Sequence, residues 1–476
     1  MYLWIVIVGG MFAFFASMGI GANDVANAFA TSVGAKTLTL KQAVVLAAIF
    51  ETSGAILMGG HVTNTIRKGI ADYQCFEDNP YVLMYGCMWV ILSVGLWLFL
   101  ASYYEMPVST THSCVGGMIG MALVLGGKDC VIWYKETDTF PYVGGVSGIV
   151  TSWFISPVFS GIISYIVFGL TRCLVLRHDF KTNRINILYP VLIGSTVTIN
   201  TFFIIYKGAK GLGLDKTPIG IALGTAFGAG GVCAIITIPI VPKIKRYIEN
   251  KFENNGPENN NAIEMVEVDN MVENRIVKMH NSAETFDIKH EELFKYLQVF
   301  TAICDSFSHG ANDVANAIGP FATIYAIYHS NGVLSDKNSM EEDAYWILGL
   351  GGTGIAVGLL VYGHKITKAL GEKLCKITPS RGVAIELGSA LIIITGSRLK
   401  LPLSTTHCQV GSTVGVGLLE DHKKCSGINC KLLLKTAFGW VITCVIVGLT
   451  SGMLAAQGAY GPTLNKYESC NLNITR

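Results

Sequence analysis

The octapeptide GANDVANA is written twice in this chain, at Gly21–Ala28 and again at Gly310–Ala317, 289 positions apart (310 − 21). Each copy supplies a carboxylate, Asp24 or Asp313, flanked by carboxamides: Asn23 and Asn27, or Asn312 and Asn316. Residues three apart share a helix face, so Asp24 and Asn27 would point together. Gly19 and Gly21 at the first copy, and Gly310 at the second, permit a broken helix with free carbonyl oxygens. Hard cations take oxygen donors of this kind, and Na+ is the one expected here.

A second motif follows each copy: PVSTTHS at Pro107–Ser113 and PLSTTHC at Pro402–Cys408. Proline suits the first turn of a helix. Ser109, Thr110 and Thr111, like Ser404, Thr405 and Thr406, would then sit at a helix start, where backbone N–H groups are unpaired and the dipole is positive. Hydroxyls add donors, which makes an anion site suited to a small tetrahedral oxyanion. Ordinary capping needs one hydroxyl per copy and leaves the others unexplained.

The elements that must hold these groups lie in lipid. Of 476 residues 51% are hydrophobic and only 14% charged, where a soluble domain carries ~25% charge. Apolar runs near 1–30, 42–61, 143–170, 187–206, 217–242, 294–318, 344–363 and 432–456 come up to or near the ~20 residues a span needs. Two further segments, 81–125 and 380–419, bend at the Pro-x-Ser-Thr-Thr motifs and read as re-entrant hairpins. The expected fold is all-α and polytopic, with about 12 transmembrane segments. The first run has no basic leader and reads as a retained helix. The net charge of +2 gives no reason to expect a nucleic-acid partner. Thirteen cysteines show no CxxC or zinc spacing and read as small buried hydrophobes. No Walker A loop, nucleophile elbow or kinase signature is present, so an enzyme is not expected, and no cofactor is implied.

GGHVTNTI (Gly59–Ile66) and YGHKITKA (Tyr362–Ala369) form a third matched point between the other two. Three matches in one order make the chain a duplicated unit, a common transporter plan. The expected parts are a first repeat (1–170), linking helices (171–242), a polar, structureless cytoplasmic loop (243–292), a second repeat (293–456) and a tail (457–476). Lys243, Lys245, Arg246 and Lys251, then Arg172, Arg177, Lys181 and Arg184, then Lys365, Lys368, Lys373 and Lys376 mark cytoplasmic loops. Parity then puts both termini outside, and Asn473 opens a glycosylation sequon there. The second repeat enters from the opposite face to the first. Inverted repeats bring matched motifs together near the bilayer midplane.

Two carboxylates in a dry site need partners. Cations would neutralise Asp24 and Asp313 and then attract the anion, so each ion lowers the desolvation cost of the other. Glu51 and Glu386 also fall in apolar runs but not at equivalent places; each is a candidate cation ligand, proton carrier or helix-pairing group, with a coupling role favoured. His112 and His407 follow the Thr-Thr pairs and could sense protonation or simply pack.

Both GANDVANA copies, FETSGA, PVSTTHS, DSFSHGANDVANAIGP, PSRGVAIELGSA and PLSTTHC resemble the PiT family of sodium-dependent phosphate transporters, over nearly all of the chain outside the central loop. The resemblance implies twelve spans in an inverted repeat, outward termini, and symport of inorganic phosphate with Na+. It implies that Asp24 and Asn27 with Asp313 and Asn316 serve the ion sites, and that Ser109–Thr111 and Ser404–Thr406 bind phosphate; the flanking carboxamides Asn23 and Asn312 complete the expected sodium ligands. It also makes Glu51 and Glu386 residues on which transport depends. Glu105, Arg398 and Lys400 depart from the pattern at the hairpin tips; Arg398 or Lys400 would either reach the anion or snorkel to water. Proton coupling, carriage of a metal-phosphate complex, and a sensor or viral receptor without net transport are the alternatives. A eukaryotic plasma membrane is the expected location, and a homo-oligomer is compatible with the sequence.

Overall fold

A computed structural model describes residues 2–138, 142–206, 213–214, 216–254, 279–281, 283–334, 344–363, 374–420 and 427–461, the side chains of Ala26, Asn27 and Asn254 excepted. The described residues form thirteen α-helices. Those of the first half are α1 (Leu3–Asn23), α2 (Val25–Gly34), α3 (Leu40–Lys68), α4 (Pro80–Tyr103), α5 (Thr110–Leu125) and α6 (Gly145–Thr171). Two connecting helices follow, α7 (Arg184–Ile205) and α8 (Ile219–Asn254). The second half holds α9 (Ile288–His329), α10 (Trp346–Tyr362), α11 (Pro379–Arg398), α12 (Thr405–Gly417) and α13 (Cys430–Tyr460). Seven described spans are long and apolar enough to cross a bilayer. The protein is an all-α, polytopic integral membrane protein.

Each Pro-x-Ser-Thr-Thr motif divides a helical hairpin. Gly86, early in α4, packs on Met121 and Leu125 at the end of α5, so these helices run antiparallel. In the second hairpin Arg381, in the first turn of α11, bonds Glu420 just beyond α12 (Nε–Oε1 2.9 Å). The pair is 1% and 4% exposed and ties the base of the hairpin.

Glycines show how the two repeats interlock. A Cβ on Gly21 of α1 would lie 1.9 Å from the Ile355 carbonyl oxygen on α10, and one on Gly310 of α9 would lie 2.1 Å from that of Glu51 on α3. Helix α1 of the first repeat therefore lies backbone to backbone against α10 of the second, and α9 of the second against α3 of the first. The same exchange joins α5 to α13 through Gly120 and Gly448, and α12 to α6 through Gly415 and Gly161. Small residues allow such approach where lipid supplies no hydrophobic force between helices.

The motif glycines thus serve packing more than breaking. The first copy is interrupted at Asp24, between α1 and α2, but α9 runs unbroken through Gly310–Ala317, contrary to the expected break in both.

The ends of the molecule are distinguishable. Tyr2 stacks on Tyr81 at the start of α4 (4.1 Å between centroids), and the Tyr460 hydroxyl donates to the Val124 carbonyl (2.9 Å). Both described chain ends therefore lie with the α3–α4 and α5–α6 connections. A disulfide joins those connections, Cys75 to Cys130. This corrects the reading of all cysteines as buried hydrophobes; the partners are 55 residues apart and carry no local spacing signal. At the opposite end Arg177 pairs with Glu284 (2.9 Å) and Lys251 with Glu292 (2.8 Å). The Arg177 hydrogen bond holds the Glu284 carboxyl below its ordinary range.

The polar segment 243–292 is not structureless throughout. Helix α8 continues to Asn254 and α9 begins at Ile288, so both ends of the segment are helical, while 255–278 lie outside the described residues. His364–Ala369, Lys373 and the sequon at Asn473 also lie outside them.

Candidate functional site

The starts of α5 and α12 meet the two aspartates at the centre of the interlock. Ser109 and Ser404 accept from the backbone N–H of His112 and His407 (both 3.3 Å), so these two serines are N-caps. Their own hydroxyls touch across the repeat axis at 2.8 Å. The threonines do something else. Thr110 donates to Asp24 Oδ2 (2.7 Å), Thr405 donates to Asp313 Oδ2 (2.6 Å), and Thr406 donates to Asp24 Oδ1. Thr110 Oγ1 also lies 3.5 Å from Asp313 Oδ2, between the two carboxylates. Thr111 donates to the Leu403 carbonyl oxygen (2.7 Å) and so joins the two hairpin breaks.

The carboxamides hold those breaks in place. Asn23 Oδ1 accepts from Val108 N (3.0 Å) and its Nδ2 donates to the Met106 carbonyl (3.0 Å). Asn312 donates to the Leu403 carbonyl and to Asp313 Oδ1 (both 2.8 Å). Asn316 donates to Thr110 Oγ1 (3.0 Å), while its Oδ1 has no hydrogen-bond partner. Asn23 and Asn312 therefore shape the site; Asn27 has its side chain outside the described residues.

Glu51 is drawn into this centre. His309 Nδ1 lies 2.9 Å from Glu51 Oε2, and Nε2 lies 3.0 Å from Asp313 Oδ2. The second contact is close but not aligned as a hydrogen bond. Ser306 donates to Glu51 Oε1 (3.1 Å). Through the glycine contacts Glu51 on α3 matches Ile355 on α10, so no second glutamate answers it across the axis.

Glu386 stands apart. Its Oε1 accepts from Thr31 (2.6 Å) and Ser32 (2.7 Å) of α2, and its Oε2 accepts from Thr301 of α9. Thr301 precedes Asp313 by twelve residues, about 18 Å along the helix. This nest therefore lies toward the basic end of the molecule. Asp305, one turn on from Thr301, is 1% exposed and leaves Oδ1 without a partner.

His112 and His407 are packed. His112 stacks on Trp153 (3.5 Å) and His407 faces Trp440 (3.7 Å), with Nδ1 bonded to Ser109 and to the Trp153 carbonyl respectively. At the second hairpin tip Arg398 meets the His61 ring nitrogen (3.0 Å) and lies over Tyr206, while the Lys400 carbonyl accepts from Thr65 (2.7 Å). These partners give Arg398 a place at the tip, away from the threonine cluster.

Sequence reasoning passed over His309 and Asp305. Both lie on the face of Asp313, at four and eight residues before it, and an ionisable residue in an apolar run is itself a signal.

A family model described as the phosphate transporter family matches residues 20–451. A Haemophilus influenzae protein described as a phosphate permease is 32% identical over 440 residues, covering 92% of this chain and 93% of that one. The mouse sodium-dependent phosphate transporter 1 is 27% identical over 670 aligned positions, covering 96% of each chain. A solved structure of a sodium-dependent phosphate transporter superposes with a TM-score of 0.78 at 31% identity, covering 96% of this chain and all of that one.

Proposed function

The chain belongs to the phosphate transporter family, a family of transporters and not of enzymes, and from that premise we propose that it imports inorganic phosphate in symport with Na+ by alternating access. One observation carries the reading. The threonine hydroxyls at the starts of α5 and α12, the groups suited to an oxyanion, are bonded to Asp24 and Asp313, the groups suited to cations. Phosphate and the carboxylates compete for the same donors. A cation on each carboxylate frees the hydroxyls to turn to phosphate, and phosphate in turn offers the cations further oxygens. Two helix N-termini face the same point and favour an anion there. Binding of either ion thus lowers the cost of binding the other, which is what gradient-driven uptake requires.

Several features support the details. We read Glu386, in its nest of hydroxyls, and Glu51, beside His309, as the residues that couple ion binding to the conformations of α2, α3 and α9. The disulfide belongs to an oxidising compartment, and the basic connections at the other end suit the cytoplasm. On this reading both termini are extracellular, and the two hairpins enter the membrane from opposite faces. A eukaryotic cell surface is the location we favour.

Protonation of the same carboxylates would also release the hydroxyls, and proton coupling is the second reading. Proteoliposomes holding the purified protein separate the two. An imposed Na+ gradient at equal internal and external pH is expected to drive concentrative uptake of labelled phosphate. Uptake that follows a pH gradient and ignores Na+ would replace the sodium reading with the proton one. Phosphate binding without exchange of label would point to a sensor.

A further inference from the structure

Asp24, His309 and Asp313 each bring one ligand atom to a common point, all within 4.8 Å of one another. None of the three side chains belongs to a residue more than 1% exposed. Two carboxylate oxygens suit Na+, but an imidazole nitrogen does not add to a sodium site. It adds to a site for a borderline transition ion.

The hydrogen bonding of His309 leaves one nitrogen to be accounted for. Nδ1 faces Glu51 Oε2 at 2.9 Å and can donate its proton there. In the neutral tautomer with its proton on Nδ1, Nε2 turns a lone pair toward Asp313 Oδ2, 3.0 Å away and without an aligned hydrogen bond. Two lone pairs at that separation repel, and a cation between them removes the repulsion. A histidine held through one nitrogen by a carboxylate, with the other on a metal, is the usual arrangement around protein-bound zinc. Beside it Asn316 Oδ1, 1% exposed, also has no hydrogen-bond partner and can supply another oxygen.

We propose that Asp24, His309 and Asp313 form a binding site for a borderline divalent metal ion such as Zn2+, with Glu51 as the residue that orients the imidazole. Ligand atoms around tetrahedral zinc sit ~3.3 Å apart, given metal–ligand bonds near 2 Å. Side-chain movements of about an ångström close the present cluster to that size. The proposal rests on the reading of Asp24 and Asp313 as cation ligands: Zn2+ takes the carboxylates that Na+ would use, so it acts as an inhibitor of sodium-coupled uptake.

Calorimetry on the full-length protein in detergent, in Na+-free buffer with ZnCl2, tests the site without reference to transport. One Zn2+ per chain is expected. His309→Gln should weaken it at least 100-fold and Glu51→Gln by 10- to 100-fold, while Glu253→Gln, exposed on α8, leaves it unchanged. Paramagnetic resonance of Cu2+ bound to the unmodified protein should show coupling to an imidazole nitrogen, a readout that needs no variant, and His309→Gln should remove it. Absence of saturable Zn2+ binding, or equal affinity in the unmodified protein and in His309→Gln, would overturn the proposal. If Na+ gradients fail to drive uptake while His309-dependent zinc binding is intact, the transport reading falls and the metal site stands.

Discussion

Thr406, in the first turn of α12, donates its hydroxyl to Asp24, 382 residues earlier, across the boundary between the two repeats. Its mirror mate Thr111 donates to the Leu403 carbonyl, matching a second contact of Thr406 with the Val108 carbonyl (3.2 Å). Asp24 therefore accepts hydroxyls from both hairpins, and it is the residue through which a change in one hairpin is felt by the other. Removing a hydroxyl that serves a buried charge costs about 1.5–3 kcal/mol. Thr406→Val keeps the side-chain shape and should weaken phosphate uptake by roughly 10- to 100-fold on that basis. Initial-rate uptake of labelled phosphate measures it. A variant with unchanged apparent affinity and rate would show that this hydroxyl never reaches the anion.

Asp24→Asn and Asp313→Asn should each abolish Na+-driven phosphate uptake with the protein still expressed. The carboxamides keep the size of the side chain and can still meet a hydroxyl, but they leave the cation without a countercharge. Near-normal uptake in both variants would remove these residues from the ion sites.

Gly310→Ala should destabilise the protein, because the new methyl would sit 2.1 Å from the Glu51 carbonyl oxygen, and backbone on both sides cannot yield cheaply. Overpacking of this kind costs about 1–3 kcal/mol. Gly21→Ala should match it, with its methyl 1.9 Å from the Ile355 carbonyl oxygen. Gly60→Ala, with nothing within 4 Å, is the neutral control. Melting temperatures in detergent report all three, and equal values would show that the helices do not approach this closely.

In a Cys470→Ser background, which removes the cysteine of the C-terminal tail, Cys75 and Cys130 should resist a membrane-impermeant maleimide on intact cells until a reductant is added, and then react from outside. Labelling before reduction in that background would mean that the bond does not form. Labelling only after permeabilisation would invert the assigned orientation.

Glu420→Gln should be more damaging than removing both members of its pair with Arg381. Breaking a buried ion pair leaves an uncompensated charge at a cost of about 3–5 kcal/mol, whereas apolar replacement of both partners is often close to neutral. Arg381 keeps bonds to Thr378 (3.2 Å) and the Glu284 carbonyl (2.7 Å), so the lower end of that range is expected. Thermal stability of Glu420→Gln against Arg381→Leu/Glu420→Leu decides it.

Much of the plan was present in residue order alone. Long apolar runs can be satisfied in lipid only as helices, because a backbone without water must bond to itself. The repeated GANDVANA and Pro-x-Ser-Thr-Thr motifs marked the site because a carboxylate or a triple hydroxyl in lipid is costly unless it is used. Those properties are local, and a linear string records them.

What the string could not record is which distant groups share one point. Identical octapeptides became a helix interrupted at Asp24 and a continuous one through Asp313, because neighbours and not letters set the interruption. Glu51 gained its place only when α3 crossed α9 and brought His309 against it, and Cys75 met Cys130 only when two outer connections folded together. Contacts between segments tens to hundreds of residues apart depend on which helix faces pack. That choice is made by the whole set of small-residue approaches at once.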